Sequence, residues 1–101
     1  MRIVYSTFPS KESAVEIGKK LLGEKLIACY NTFKISSGYW WQGEITEDEE
    51  WACIFKTGEK HVEKVIETIA KLHPYEVPAI FSIPVEMVHS PYEKWLKENL
   101  E

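Results

Sequence analysis

Leu26–Trp41 reads LIACYNTFKISSGYWW, Gln42-Gly43 follows, and Glu44–Thr57 reads EITEDEEWACIFKT. Both flanks are rich in β-branched and aromatic residues, the types that suit a pleated surface. A Gln-Gly pair between them predicts a two-residue hairpin turn, although Asn or Asp before the glycine would be a stronger signal. That turn fixes the pairing: Trp41 faces Glu44, Trp40 faces Ile45, Thr32 faces Cys53, Asn31 faces Ile54 and Cys29 faces Lys56. A single bulge would shift these pairs. Each strand would run to about 14 residues, against a usual length of about 5–6. Strands that long overhang a small domain, so their far ends need something else to pair with or pack on.

Working outward, Met1–Phe8 carries Ile3, Val4 and Tyr5 and stops at Pro9, which suits a short buried strand. Ser10 caps a helix with Ala14, Ile17, Leu21 and Leu22 on its apolar face, and Gly23 suits a left-handed stop. After the hairpin, Thr57 caps a second helix bearing Val62, Val65, Ile66, Ile69 and Leu72, ended by Pro74. Ala79, Phe81, Ile83 and Val85 alternate as a strand, and Pro84 places that strand at an edge. Ser90-Pro91-Tyr92-Glu93 opens a last helix, with Ser90 as its cap and Tyr92, Trp95, Leu96 and Leu100 as its stripe. The order strand, helix, strand, strand, helix, strand, helix predicts an α+β fold. It is the ferredoxin-like split βαβ sandwich, with a long central hairpin and an extra C-terminal helix. Residues 1–101 make a single domain, since two cores do not fit this length. Its helices would cover one face of an antiparallel sheet and leave the other bare, which predicts self-association.

Composition narrows the partners. Hydrophobic residues at 45% and charged residues at 28% exclude a disordered chain. The formal charge of −4 gives no positive field for phosphates, so nucleic acid is not an expected partner. No apolar run is long enough to span a membrane, and Met1–Ser10 lacks the apolar core and cleavage site of a signal peptide. The expected location is cytoplasmic, with Cys29 and Cys53 as free thiols. Five scattered glycines carry no phosphate-cradling loop, so no nucleotide is expected. Aromatic residues reach 13%, heavy for this size and favourable to an interface.

Few residues carry candidate chemistry. A lysine opposite Cys29 favours its thiolate, the form that binds soft metals; the plainer reading is a small buried hydrophobe. Cys53, between Ala52 and Ile54, reads as core. His73-Pro74-Tyr75-Glu76-Val77-Pro78 is the densest polar segment, stiffened by its prolines. His73 and Glu76 are candidate ligands or proton carriers; alternatively His73 caps a helix C-terminus and Glu76 is solvated. His61 and His89 read as solvent-facing residues. Glu47-Asp48-Glu49-Glu50 places two acids on each face of one strand, where they should meet cations. Tyr39-Trp40-Trp41 is either a ligand platform or, better, buried core or interface. No nucleophile elbow, HExxH or paired CxxC occurs, so a binding protein is favoured over an enzyme.

Several blocks together carry a resemblance: Tyr5-Ser6-Thr7-Phe8-Pro9, Leu26-Ile27-Ala28-Cys29-Tyr30-Asn31, Tyr39-Trp40-Trp41-Gln42-Gly43-Glu44-Ile45, Lys56-Thr57, His73 to Pro78 and Tyr92-Glu93-Lys94-Trp95-Leu96. In this order they resemble the CutA family of divalent-cation tolerance proteins. The resemblance implies a ferredoxin-like subunit in a tight cytoplasmic homotrimer, similar in architecture to the PII signalling proteins and linked to tolerance of copper and other divalent metals. It places a site in a cleft between subunits. Cys29, His73 and Glu76 are then the metal candidates for Cu(II) or another divalent cation, with Lys56, Tyr39 and Trp40 as cleft neighbours. Some relatives carry a cysteine where this chain has Ser6, which removes one soft ligand. Two other readings use the same residues. One is a PII-like signalling or scaffold trimer holding a small ligand or partner; the other is an enzyme with Cys29 as nucleophile and His73 as base.

Overall fold

Gln42 and Gly43 take φ of 50° and 81°, the left-handed pair that a tight hairpin loop demands. The hairpin keeps its register without a bulge, from Trp41 opposite Glu44 down to Cys29 opposite Lys56. The computed structural model describes residues 1–101. β1 is Arg2–Phe8, α1 Lys11–Gly23, β2 Cys29–Trp41, β3 Glu44–Thr57, α2 Val62–Leu72, β4 Ile80–Pro84 and α3 Ser90–Glu98. The four strands order as β2-β3-β1-β4, all neighbours antiparallel. β4 is indeed an edge, and Pro84 closes it opposite Arg2.

Alternation decides what each face carries. Val4, Ser6, Phe8, Cys53, Phe55 and Thr57 point to the helices. There Ala14, Ile17 and Leu21 of α1 and Val65 and Ile69 of α2 complete the core. The opposite face carries Ile3, Tyr5, Phe33, Ile35, Ile54, Phe81 and Ile83, and Phe33, Phe81 and Ile83 are each more than 40% exposed. α3 tucks against the chain's lower end: the Met1 amine lies 4.0 Å from Glu93, and the Glu101 N–H donates to Lys25 O at 3.0 Å. The molecule is 45 Å long against 25 and 21 Å across, because the hairpin projects beyond the helices.

Local signals at the element ends were partly misread. Ser10 caps α1 as expected, its hydroxyl accepting from the Ser13 N–H at 3.2 Å. Gly23 is not the left-handed residue; Lys25 is, at φ 57°. Thr57 does not cap the second helix. Its hydroxyl is buried and donates to Leu26 O at 2.6 Å, tying β3 to the segment before β2. A 3₁₀ turn, Glu59–His61, leads into α2 and draws His61 into the interior at 8% exposure, not out to solvent. Ser90 is the first residue of α3 and His89 its cap position.

Candidate functional site

The candidate residues fall at two ends of one sheet. At the lower end Cys29, half-buried, lies on the uncovered face beside Lys56. Its Sγ is 3.9 Å from Asn31 Oδ1. The Lys56 ammonium reaches over the Tyr92 ring, 5.6 Å from its centre, and so leans toward α3. Cys53 points the other way into the core, fully buried, and burial pushes its thiol up to about 12. Both cysteines are free, and of the two only Cys29 offers a reachable thiol. Ser6 is fully buried among the helix-facing residues, and its hydroxyl has no hydrogen-bond partner.

At the upper end α2 hands over to β4 through His73–Ala79, which Pro74 and Pro78 stiffen. The His73 ring stacks on Phe8 with centroids 4.5 Å apart and planes 15° apart. Its Nε2–H donates to Thr7 O at 2.7 Å, and its Nδ1 accepts from the Tyr75 N–H at 3.1 Å. A carbonyl only accepts and an amide N–H only donates, so these bonds together require the neutral Nε2–H tautomer. Burial lowers the pKa of His73, against smaller upward pulls from Thr7 O and the Glu50 charge. The Tyr75 hydroxyl donates to Glu50 Oε2 at 2.6 Å, and Glu50 is only 7% exposed. Burial, with this bond and the Glu50 charge behind it, raises the Tyr75 hydroxyl well above its ordinary range.

One expected outcome follows from the His73 tautomer. A histidine whose folded pKa is depressed adds stability above its unfolded value near 6.5, and that stability is lost as pH falls through 6.5 and the lower folded value. Urea unfolding at pH 8, 6.5 and 5 should show wild type losing more stability on acidification than His73→Gln. Parallel losses in the two proteins would remove the tautomer argument.

Lys56 and Cys29 share one end of the sheet, and His73, Tyr75 and Glu50 share the other. One chain does not bring Cys29 to His73. Cys29 is level with Ile3 through Lys56, whereas His73 is held at Thr7, four strand residues or roughly 13 Å further on. Glu76, three residues after His73, is exposed. Tyr39 donates to Asp48 at 3.2 Å out on the projecting hairpin, and Trp40, 71% exposed, points to the other face. The acidic run divides as alternation requires, and Lys34 lies 3.6 Å from Glu49.

Sequence reasoning missed Glu50, Tyr75, Thr7 and Phe8 as parts of this upper cluster. The available signal was alternation, which puts Glu50 on the uncovered face level with Ile35.

The donor set fits a divalent cation in part. A metal-binding histidine commonly donates its second ring N–H to a carbonyl, which fixes the tautomer and frees the other nitrogen as ligand. Nε2–H to Thr7 O is that arrangement, while Nδ1, the nitrogen that would face a cation, accepts the Tyr75 N–H. Glu76 adds carboxylate oxygens, yet no three histidine, cysteine or acidic side chains converge within one chain. No helix is long and apolar enough to cross a membrane.

Comparison with known proteins matches this geometry to one group. A divalent-cation tolerance protein CutA from Thermotoga maritima is 57% identical over 100 residues, covering 99% of each chain. The crystal structure of CutA1 from Pyrococcus horikoshii superposes with a TM-score of 0.96 at 48% identity, covering 100% of this chain and 99% of the other. A protein from Archaeoglobus fulgidus, described as a periplasmic divalent cation tolerance protein CutA, gives 0.96 at 38% identity with full coverage of both. Residues 2–99 match the family described as CutA1 divalent ion tolerance protein, and with the fold and these relatives in agreement, the chain belongs to that family.

Proposed function

We propose that this chain acts as a cytoplasmic homotrimer that holds a divalent cation, Cu(II) among its ions, at clefts between subunits. Binding rather than catalysis is then its contribution to cation tolerance. The observation that carries the reading is the separation of Cys29 from His73 within one chain, combined with an uncovered apolar sheet face on which Cys29 lies. His73 Nδ1 and the Glu76 carboxylate from one subunit meet the Cys29 thiolate of a neighbour, with Lys56 beside that thiolate; Trp40, on the other face of its strand, does not share this cleft with Cys29. Thiolate, imidazole and carboxylate suit a soft or borderline divalent ion. Two free thiols favour a reducing compartment.

Light scattering and calorimetric titration with Cu(II) test both halves. Wild type should have three times the 11.8 kDa chain mass. Its Cu(II) affinity should fall at least tenfold in Cys29→Ala and in His73→Ala, stay nearly constant in His89→Ala, and weaken as falling pH protonates the imidazole. A monomer mass, or unchanged affinity in the two cleft variants, overturns the reading.

A further inference from the structure

The nitrogen that His73 offers a cation is already engaged. Nδ1 accepts the Tyr75 N–H at 3.1 Å, and a lone pair given to a metal is no longer available to an amide. The Tyr75 backbone is not free to drift away. Its ring lies 5.0 Å from the His73 ring, and its hydroxyl is anchored on the buried Glu50 carboxylate at 2.6 Å, the shortest side-chain hydrogen bond in this cluster. A hydrogen bond to an ionised carboxylate is among the stronger ones. Pro74 precedes Tyr75 and stiffens the backbone between the two residues.

We infer that Tyr75, anchored on Glu50, is a latch that competes with the cation for His73 Nδ1, so that metal entry and release of the Tyr75 segment are one coupled event. The inference rests on the proposed role of His73 as a ligand and adds its regulation. Two states follow. In the latched state Tyr75 N–H fills Nδ1 and Tyr75 OH fills Glu50. In the metal state Nδ1 turns to the cation, the Tyr75 amide is exposed, and the segment carrying Glu76 moves. A ligand shifts such an equilibrium by its differential affinity for the two states, and the latch lowers apparent affinity by the fraction of molecules left open. The Thr7 bond persists in both, because Nε2–H is not contested. Tyr75 and Glu50 thereby set the threshold concentration at which cation is taken up.

The test uses Zn(II) alone as a diamagnetic probe of the assembled protein. Tyr75→Phe removes the anchor and keeps the ring, and should bind Zn(II) about tenfold more tightly than wild type, about 1.4 kcal/mol. In wild type, saturating Zn(II) should abolish protection of the Tyr75 amide from hydrogen exchange; this readout needs no variant. His73→Ala separates the two claims. If His73→Ala lowers affinity but Tyr75→Phe binds like wild type and the Tyr75 amide stays protected, His73 is a ligand and the latch is wrong. If His73→Ala leaves affinity unchanged, the ligand assignment fails and the latch fails with it.

Discussion

Phe8→Ala is expected to lose about 3–5 kcal/mol of stability, the range for removing a buried aromatic ring. Phe8 has no exposed surface, meets Phe55 edge-on with centroids 6.3 Å apart and gives His73 the platform on which its ring stacks. Domains of this size hold roughly 5–15 kcal/mol in total, so the loss is a large share. It should lower the melting temperature on the order of 15 °C. A second signature separates this variant from an ordinary core cavity. Without the ring beneath it the His73 imidazole is better solvated, so the extra acid sensitivity of wild type should shrink in Phe8→Ala. Urea unfolding at neutral and mildly acidic pH measures both, and a loss below about 1 kcal/mol would contradict the packing argument.

Phe33→Lys is expected to break up the proposed trimer and give a mass near the 11.8 kDa of one chain in light scattering. Phe33 is 43% exposed on the uncovered face, opposite the fully buried Ala52. Burying a phenylalanine against a partner is worth roughly 1.5–3 kcal/mol. An ammonium in its place would have to be desolvated several times per assembly, at several kcal/mol for each ion. The helix face is the control. Lys19 is exposed on α1, and Lys19→Glu should leave the mass unchanged. Circular dichroism on the same samples would show whether the Phe33 variant keeps its sheet. A folded Phe33→Lys protein that still has the wild-type mass would remove this face from the interface.

The hairpin was legible because its determinants are local. Gln42-Gly43 sets a two-residue loop, and every pair below it follows from that one choice. The helical half of the core was legible for the same reason, since helical spacing in α1 and α2 names Ala14, Ile17, Leu21, Val65 and Ile69 directly, whereas β1 sends Val4 to the core and Ile3 and Tyr5 to the uncovered face. Thr57 was misread because cap and strand end share one residue preference, and its hydroxyl found Leu26 O across the crossover instead. His61 was misread because a 3₁₀ turn changes which side chain faces in at the start of α2. The site was half legible. His73 and Glu76 stand out as residue types, but the state of His73 is set by Thr7 and that of Tyr75 by Glu50, 66 and 25 residues away. No pattern in the sequence around His73 contains those partners; they are products of topology.

The two-residue loop also sets an order of events in time. β2 and β3 are joined by Gln42-Gly43 alone, so their ends meet without closing a long loop, and such hairpins form in roughly 1–10 μs. β1 must find β3 from a distance, Arg2 settling opposite Thr57, and β4 must then find β1. Each of these closures carries an entropic cost that grows with loop length, and that cost falls due before the contacts can offset it. In the proposed trimer the final step is a collision between chains, whose rate falls on dilution. A newly made chain therefore passes through a stage in which the 13-residue β2 is a finished strand with one unpaired edge. Such an edge is a template for any passing strand. The same geometry that prepares a subunit for its neighbours makes its youth the moment of greatest risk, and concentration in the cell decides how long that moment lasts.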